Sequence, residues 1–318
     1  MRASRIGYGL LLLAALCVPF TGIYPVFAMK LLCYGLFACA FNLLLGFTRM
    51  LSFGHTAYFG AAAYCTGWLA TVQGWGTVES ILGGVVAATL LGAVIGAIAI
   101  RRQGIYFAMI TLALAQLVYF VFLQAPFSGG ENGLQSIPRG SLLGIVPLQS
   151  DTSLYFVVLA IFVASFLFIR RIVHSPFGQV LKAIRENEPR AVSLGYNVER
   201  YKLVAFVLSA ALAGLAGSTK AIVLGFVTLT DVSQGSSGEV ILMTLVGGTG
   251  TFFGPLVGAG IIVALQDYLS DRVGSWVTVI MGAIFVACVM AFRRGIVGEW
   301  QHYFALRRSA SRRPAAAT

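Results

Sequence analysis

A succession of apolar stretches limits what this chain can become. They run from about 8 to 28, 29 to 47, 51 to 72, 78 to 100, 103 to 124, 152 to 171, 199 to 222, 236 to 250, 252 to 270 and 274 to 293. A helix needs roughly 20 apolar residues to cross the hydrocarbon core of a bilayer, and most of these stretches reach that length. With 58% hydrophobic residues and only 10% charged, against about 25% charged in an ordinary soluble domain, the chain reads as an all-α polytopic membrane protein of about ten transmembrane helices.

The charges sort by side. With a cytoplasmic N-terminus, the inner segments hold Arg2, Arg5, Arg49, Arg101, Arg102, the seven basic residues from Arg170 to Lys202 and the six from Arg293 to Arg313. Lys30, Arg139, Lys220 and Arg272 are left for the outside, which is the bias of the positive-inside rule. The net charge of +11 therefore follows the loops and does not point to nucleic acid. Both termini are then cytoplasmic, and the number of spans is even. The short 236–250 segment is accordingly counted as a crossing, with eight spans plus a re-entrant element as the alternative. Residues 1–295 form one membrane domain, and the Arg-rich 296–318 is a disordered basic tail drawn to anionic lipid. Arg2, Arg5 and the apolar run after them also have the outline of a signal peptide, but hydrophobicity resumes at once and the topology needs this segment as a first span.

One long polar passage interrupts the apolar pattern, RRIVHSPFGQVLKAIRENEPRAVSLGYNVERYK, from Arg170 to Lys202. Ser175 followed by Pro176 starts a helix, because the missing proline N–H has no helical partner at that position anyway. Phe177, Val180, Leu181 and Ile184 recur at helical spacing as an apolar face, while Lys182, Arg185, Glu186 and Glu188 lie largely on polar faces. Pro189 stops this helix and opens a second, which Gly195 ends by taking positive φ. The apolar face is too small to be a core, so it must lie on lipid, on its own subunit or in a partner's groove. Its mixed charge suits a protein groove better than an anionic lipid surface.

Reactive patterns are absent. No phosphate loop, H-E-x-x-H or G-x-S-x-G occurs, so the chain carries no catalytic residues and does not itself hydrolyse ATP. Cys17, Cys33, Cys39, Cys65 and Cys288 lie in apolar segments without metal or disulfide spacing and are read as packing residues. Small residues four apart, such as Gly92 with Gly96, Ala213 with Gly217 and Gly254 with Gly258, let helices approach closely and are read as packing within the subunit. The outside loop PFSGGENGLQSIPRGSLLGIVPLQSD is read as a turn-rich connector.

Polar groups at membrane depth usually face protein or water. Asn42, His55, Gln116 and Glu239 are the candidates for a substrate path, with Asp267 beside them. Each has a plainer reading. Asn42 and Gln116 can cross-link helices, His55 can serve as a helix-start or packing residue, and Glu239 and Asp267 can be hydrated near the outer ends of their spans.

Five blocks carry a resemblance to a known family. FNLLLGFTRMLSFGHTAYFGAAAY (41–64), GIYFAMITLALAQ (104–116), SGGENGL (128–134), the stretch from Ser175 to Gly217, and SGEVILMTLVGGTGTFFGPLVGA (237–259) resemble the branched-chain amino acid ABC transporter permeases of LivM type, in order from about 30 to 295. Arg49 and Met50 depart from the family's more usual Gly-Leu, and Ser128 from its Thr. The resemblance implies an inner-membrane importer subunit with a fold similar to the cobalamin-type permeases. It also implies a second, LivH-type permease subunit, two cytoplasmic ATPases that bind ATP and Mg, and a periplasmic binding protein. Its coupling helices would match Ser175 to Gly195, with Phe177, Val180, Leu181, Ile184, Arg185, Glu186 and Gly195 as ATPase-coupling residues. A same-family permease for urea or short amides, and from another class an ion-coupled secondary carrier, stay open as alternatives. Against the carrier stand too few central charges and no clear internal repeat.

Overall fold

The computed structural model describes residues 24–142, 146–291 and 295–299. Most of the expected first span, and the tail from residue 300 on, lie outside the described residues. The helices are α1 Pro25–Thr48, α2 His55–Thr71, α3 Thr77–Ala99, α4 Ile105–Gln124, α5 Asp151–His174, α6 Pro176–Glu186, α7 Glu188–Ser193, α8 Val198–Leu224, α9 Gln234–Gly247, α10 Gly254–Val273 and α11 Val277–Ala291. Among the described residues the only strands are Ser141–Leu142 and Val146–Pro147, paired antiparallel in the loop between α4 and α5. The protein is an all-helical membrane fold.

Two boundaries differ from the pattern of hydrophobicity. The apolar run from 8 to 28 was expected to end where the next span begins, yet α1 already starts at Pro25, whose fixed φ and missing N–H suit a first helical turn. Helix α2 starts at His55 and not at Leu51. The intervening backbone is held by side chains instead, with the Phe53 N–H donating to Thr111 Oγ1 at 3.3 Å and the Gly54 N–H to Ser52 Oγ at 3.3 Å.

Helix α2 is the inner post of the bundle. Of its 17 residues, 14 are buried, many of them Ala or Gly, because α3 and α8 close around it and rings of Phe37 and Phe41 on α1 cover Phe59 and His55. A Cβ on Gly217 of α8 would overlap the Phe59 carbonyl oxygen of α2 and lie 2.7 Å from its carbonyl carbon. A Cβ on Gly96 would lie 2.8 Å from Phe206, and one on Gly258 would lie 2.8 Å from the Gly247 nitrogen. The small residues thus bring helices of this one chain together, as their spacing suggested. Helix α3 shows the opposite face of the same logic: Leu82, Val86, Leu90, Val94 and Ile98 form an exposed apolar stripe along one side, as a helix next to lipid requires.

Helices α1, α3, α4, α5 and α8 are long and apolar enough to cross a membrane. At 14 residues, α9 is about 21 Å long, short of the roughly 30 Å hydrocarbon core. Its two ends lie against α1 about two turns apart: Tyr34 lines a cavity with Glu239, and the loop after α9 reaches Asn42. The loop between α4 and α5 is pinned to the segment after α8, through Leu134 paired with Val227 and the Ile137 N–H donating to the Gly225 carbonyl at 2.9 Å.

Replacing Gly217 with Ala is expected to destabilise the fold by about 1–3 kcal/mol, since the methyl group meets backbone that has no rotamer to yield. Gly238→Ala, where a Cβ meets nothing within 4 Å, is expected to be neutral or slightly stabilising. Thermal retention of monodisperse protein in detergent checks this; equal melting of Gly217→Ala and the parent contradicts the close α2–α8 approach.

Candidate coupling region and outward cavity

The polar passage folds as two short capped helices, as its signals predicted. Ser175 Oγ accepts the Gly178 N–H at 3.3 Å at the start of α6, with Pro176 in the first turn, and Asn187 Oδ1 accepts the Arg190 N–H at 3.1 Å at the start of α7. Helix α7 closes in the Gly195 turn: Gly195 has φ +87, its N–H donates to the Val192 carbonyl and the Tyr196 N–H to the Ala191 carbonyl. This is the double hydrogen bond of a glycine-terminated helix.

The apolar face of α6 lies elsewhere than in a partner's groove. Leu181 and Ile184 are 1% and 3% exposed, and Ile184 packs with Ala191 of α7 and Val198 of α8, flanked by Val180 and Tyr201. Phe177 stacks on Tyr201 with ring centroids 5.6 Å apart. Of the four residues expected to dock into a partner, Leu181 and Ile184 are covered by the chain itself, while Phe177 and Val180 are half-buried beside them. The return of the chain through α7 into α8 supplies the cover that sequence periodicity alone left open. Among the residues left exposed are Glu186 on α6, Arg190 and Val192 on α7, and Leu194, Gly195 and Tyr196 in the turn that follows. Leu194 is 68% exposed beside Val192 at 57%, an apolar tip that the helical pattern of α6 drew attention away from. The signal that could have found it was Val-Ser-Leu-Gly, two apolar residues just before a helix-ending glycine.

Arg185 points inward and donates to the carbonyl of Gly46, in the last turn of α1. That carbonyl has no helical donor, and a cation also suits the negative end of the helix dipole. One turn back on α1, Asn42 fixes the loop between α9 and α10: its Nδ2 donates to the Thr251 carbonyl at 2.9 Å, and its Oδ1 accepts the Gly250 N–H at 2.9 Å. A Cβ on Gly46 would lie 2.6 Å from the Gly250 nitrogen, so this approach depends on glycine. The next residues explain the departure at Arg49. It ends α1 in the left-handed region, φ +56, where glycine is the least strained choice, and it lines a small polar cavity of about 210 Å³ with Arg102, Arg185, Glu188 and Lys202. Glu188 joins α7 to the core there, accepting from Lys202 Nζ at 2.6 Å and from Gln103 Nε2 at 2.8 Å.

The four path candidates do not share one cavity. Asn42 belongs to the bracket just described. His55 is fully buried between α1, α2 and α8, its Nε2–H donating to Ser209 Oγ at 2.7 Å while Ser209 donates to the Ala40 carbonyl at 2.6 Å. Phe41, Tyr58 and Phe206 meet its ring edge-on. Gln116 is half-buried on α4 and lines neither cavity. Glu239 alone faces a large space, a cavity of about 610 Å³ lined by polar residues such as Thr230, Ser236 and Gln266 and by the apolar Leu242, Val277 and Met281. Ion pairs stand beside it: Lys220 with Asp231 at 2.6 Å, both buried, and Lys30 with Asp267 at 2.5 Å.

Removing the Asn42 amide leaves the Gly250 N–H and the Thr251 carbonyl without their partner. Asn42→Leu is therefore expected to lower stability by about 1–3 kcal/mol, seen as reduced membrane abundance and earlier melting together with reduced transport. Loss of transport at unchanged stability would instead place Asn42 on the path.

Comparison with known proteins identifies the family. The family model described as branched-chain amino acid transport system / permease component matches residues 26–289. The high-affinity branched-chain amino acid transport system permease protein LivM of Escherichia coli is 27% identical over 303 residues, covering 88% of this chain and 71% of the relative. LivM of Salmonella typhimurium is 28% identical over 288 residues, covering 82% and 67%. A more distant relative, the xylose transport system permease protein XylH of Haemophilus influenzae, is 30% identical over 159 residues, 46% of this chain and 42% of the relative. No solved structure matches the chain. A family match over residues 26–289, running through the linker helices, the Asn42 bracket and the outward cavity alike, establishes that the chain belongs to the branched-chain amino acid transport system permease family.

Proposed function

We propose that this chain is one of two different membrane subunits of an ATP-driven importer for branched-chain or other hydrophobic amino acids. Two cytoplasmic ATPases, which bind ATP and Mg, drive it, and a periplasmic binding protein delivers the substrate. The two LivM relatives, matched over 88% and 82% of this chain, support that substrate class over the sugars named for XylH. In this reading the chain crosses the bacterial inner membrane ten times with both termini inside, in a fold similar to the cobalamin-type permeases. The charge bias supports that orientation, and the even number of spans it requires supports counting α9 as a crossing.

The observation that carries the proposal is the two-sided linker of α6 and α7. Its inner side is fixed to the membrane helices through Ile184, Arg185 and Glu188, and its outer side presents Val192, Leu194 and Tyr196. An exposed apolar tip rimmed by Glu186 and Arg190 suits a protein groove. An ATPase that grips this tip moves α1 and the α9–α10 loop with it, because the hydrogen bonds of Arg185 and Asn42 join them.

Leu194→Asp is expected to weaken ATPase association about tenfold or more while the permease pair stays folded. Ile184→Asp puts a charge among Ala191 and Val198 and is expected to lower the stability of the permease itself. Co-purification of the ATPases and thermal melting separate the two effects. A Leu194→Asp complex that assembles and hydrolyses ATP like the parent would place the docking surface elsewhere.

A further inference from the structure

The outward cavity holds a carboxyl group that makes no ion pair among the described residues. Of the acidic groups near it, Asp231 is paired with Lys220 and also accepts the Thr228 N–H at 3.1 Å, and Asp267 is paired with Lys30. Glu239 is half-buried and accepts a neutral hydrogen bond from Gln266 Nε2 at 3.2 Å; among the described residues no cation forms an ion pair with it. A carboxylate in a partly dehydrated enclosure gains most from a cation that enters the space. The cavity, about 610 Å³, falls within the usual range of small-molecule sites, about 300–1,000 Å³. Its lining is divided. Glu239, Gln266, Thr230 and Ser236 supply polar groups, and Leu242 and Met281 supply apolar surface in the same space.

Resting on the importer reading above, we propose that this cavity is a substrate-recognition site for hydrophobic amino acids, in which Glu239 binds the α-ammonium group. The apolar wall takes the aliphatic side chain. A sugar or a neutral amide has no ammonium to offer, so the site discriminates by charge as well as by shape. The position fits the import direction, because the cavity is bounded by the segment between α8 and α9, on the side of the outer ion pair of Lys30 and Asp267.

The test uses the complete importer, with its binding protein, in proteoliposomes supplied with labelled leucine and internal ATP. Glu239→Gln keeps the shape and the Gln266 contact but removes the charge; leucine uptake is expected to fall about tenfold or more, with binding-protein-stimulated ATP hydrolysis retained and Glu239→Asp restoring part of the uptake. In parallel, a diazirine analogue of leucine is irradiated on the energised complex, and labelled peptides containing Leu242 or Met281 are expected from the parent and lost from Glu239→Gln. Uptake by Glu239→Gln equal to the parent overturns the proposal and leaves the importer reading standing. So does dependence of parental uptake on sodium or protons that vanishes in Glu239→Gln while leucine still passes, since the charge then serves an inorganic cation. A parent complex inactive toward every amino acid overturns the importer reading, and this proposal with it.

Discussion

A helix that ends inside a protein leaves its last carbonyl groups without backbone donors, and those that other elements cover need a side-chain donor in their place. Helix α1 ends in this way, and the donor for its Gly46 carbonyl is the guanidinium of Arg185, 139 residues further along the chain. Much follows from that one contact. It holds α6 against the bundle, which lets α6 bury Leu181 and Ile184 and leaves α7 and its glycine turn projecting. It also brings the linker to Gly250, whose N–H is held by Asn42. The α6–α7 linker, the end of α1 and the α9–α10 loop are therefore one hydrogen-bonded unit rather than three neighbouring pieces.

At the other end of the same helices the constraint is electrostatic. Lys220 and Asp231 are both nearly inaccessible and lie 2.6 Å apart, and removing either would leave an uncompensated buried charge. The pair fixes the segment between α8 and α9, from which the wall of the outward cavity is built. Between the two ends stands α2, whose alanines and glycines allow α3 and α8 to close on it at backbone distance. The inner and outer regions are thus joined by tightly packed helices of one chain. A displacement of α7 has a physical route to the cavity at Glu239 through α1 and α9, since both helices touch both regions.

Much of this was legible in the residues. The caps at Ser175 and Pro176, the break near Pro189 and the left-handed Gly195 are local signals, written within a few residues of where they act, and all appear as expected. The packing role of the four-spaced small residues was also readable, because their physics is short-range. Two things were not. Which side of α6 would be covered depends on α8, which returns only after α7 has turned the chain, so a lone amphipathic pattern looked like a docking face when it was an internal one. The roles of the intramembrane polar residues depend on partners more than 150 residues away: Ser209 for His55, and Gly250 and Thr251 for Asn42. Glu239 differs from them only because the outward cavity opens beside it, and no spacing rule encodes a cavity.

The account's central claim is that Arg185 carries motion from the docked linker to the membrane helices, and uptake per ATP hydrolysed measures it most directly. Arg185→Met retains an apolar stem of similar reach but donates nothing to Gly46. In proteoliposomes with the full importer, the variant is predicted to keep its ATPases and continue hydrolysis while amino acid imported per ATP falls about tenfold, the scale of a lost charged hydrogen bond. An assembled Arg185→Met complex with the parent's transport per ATP would contradict the account.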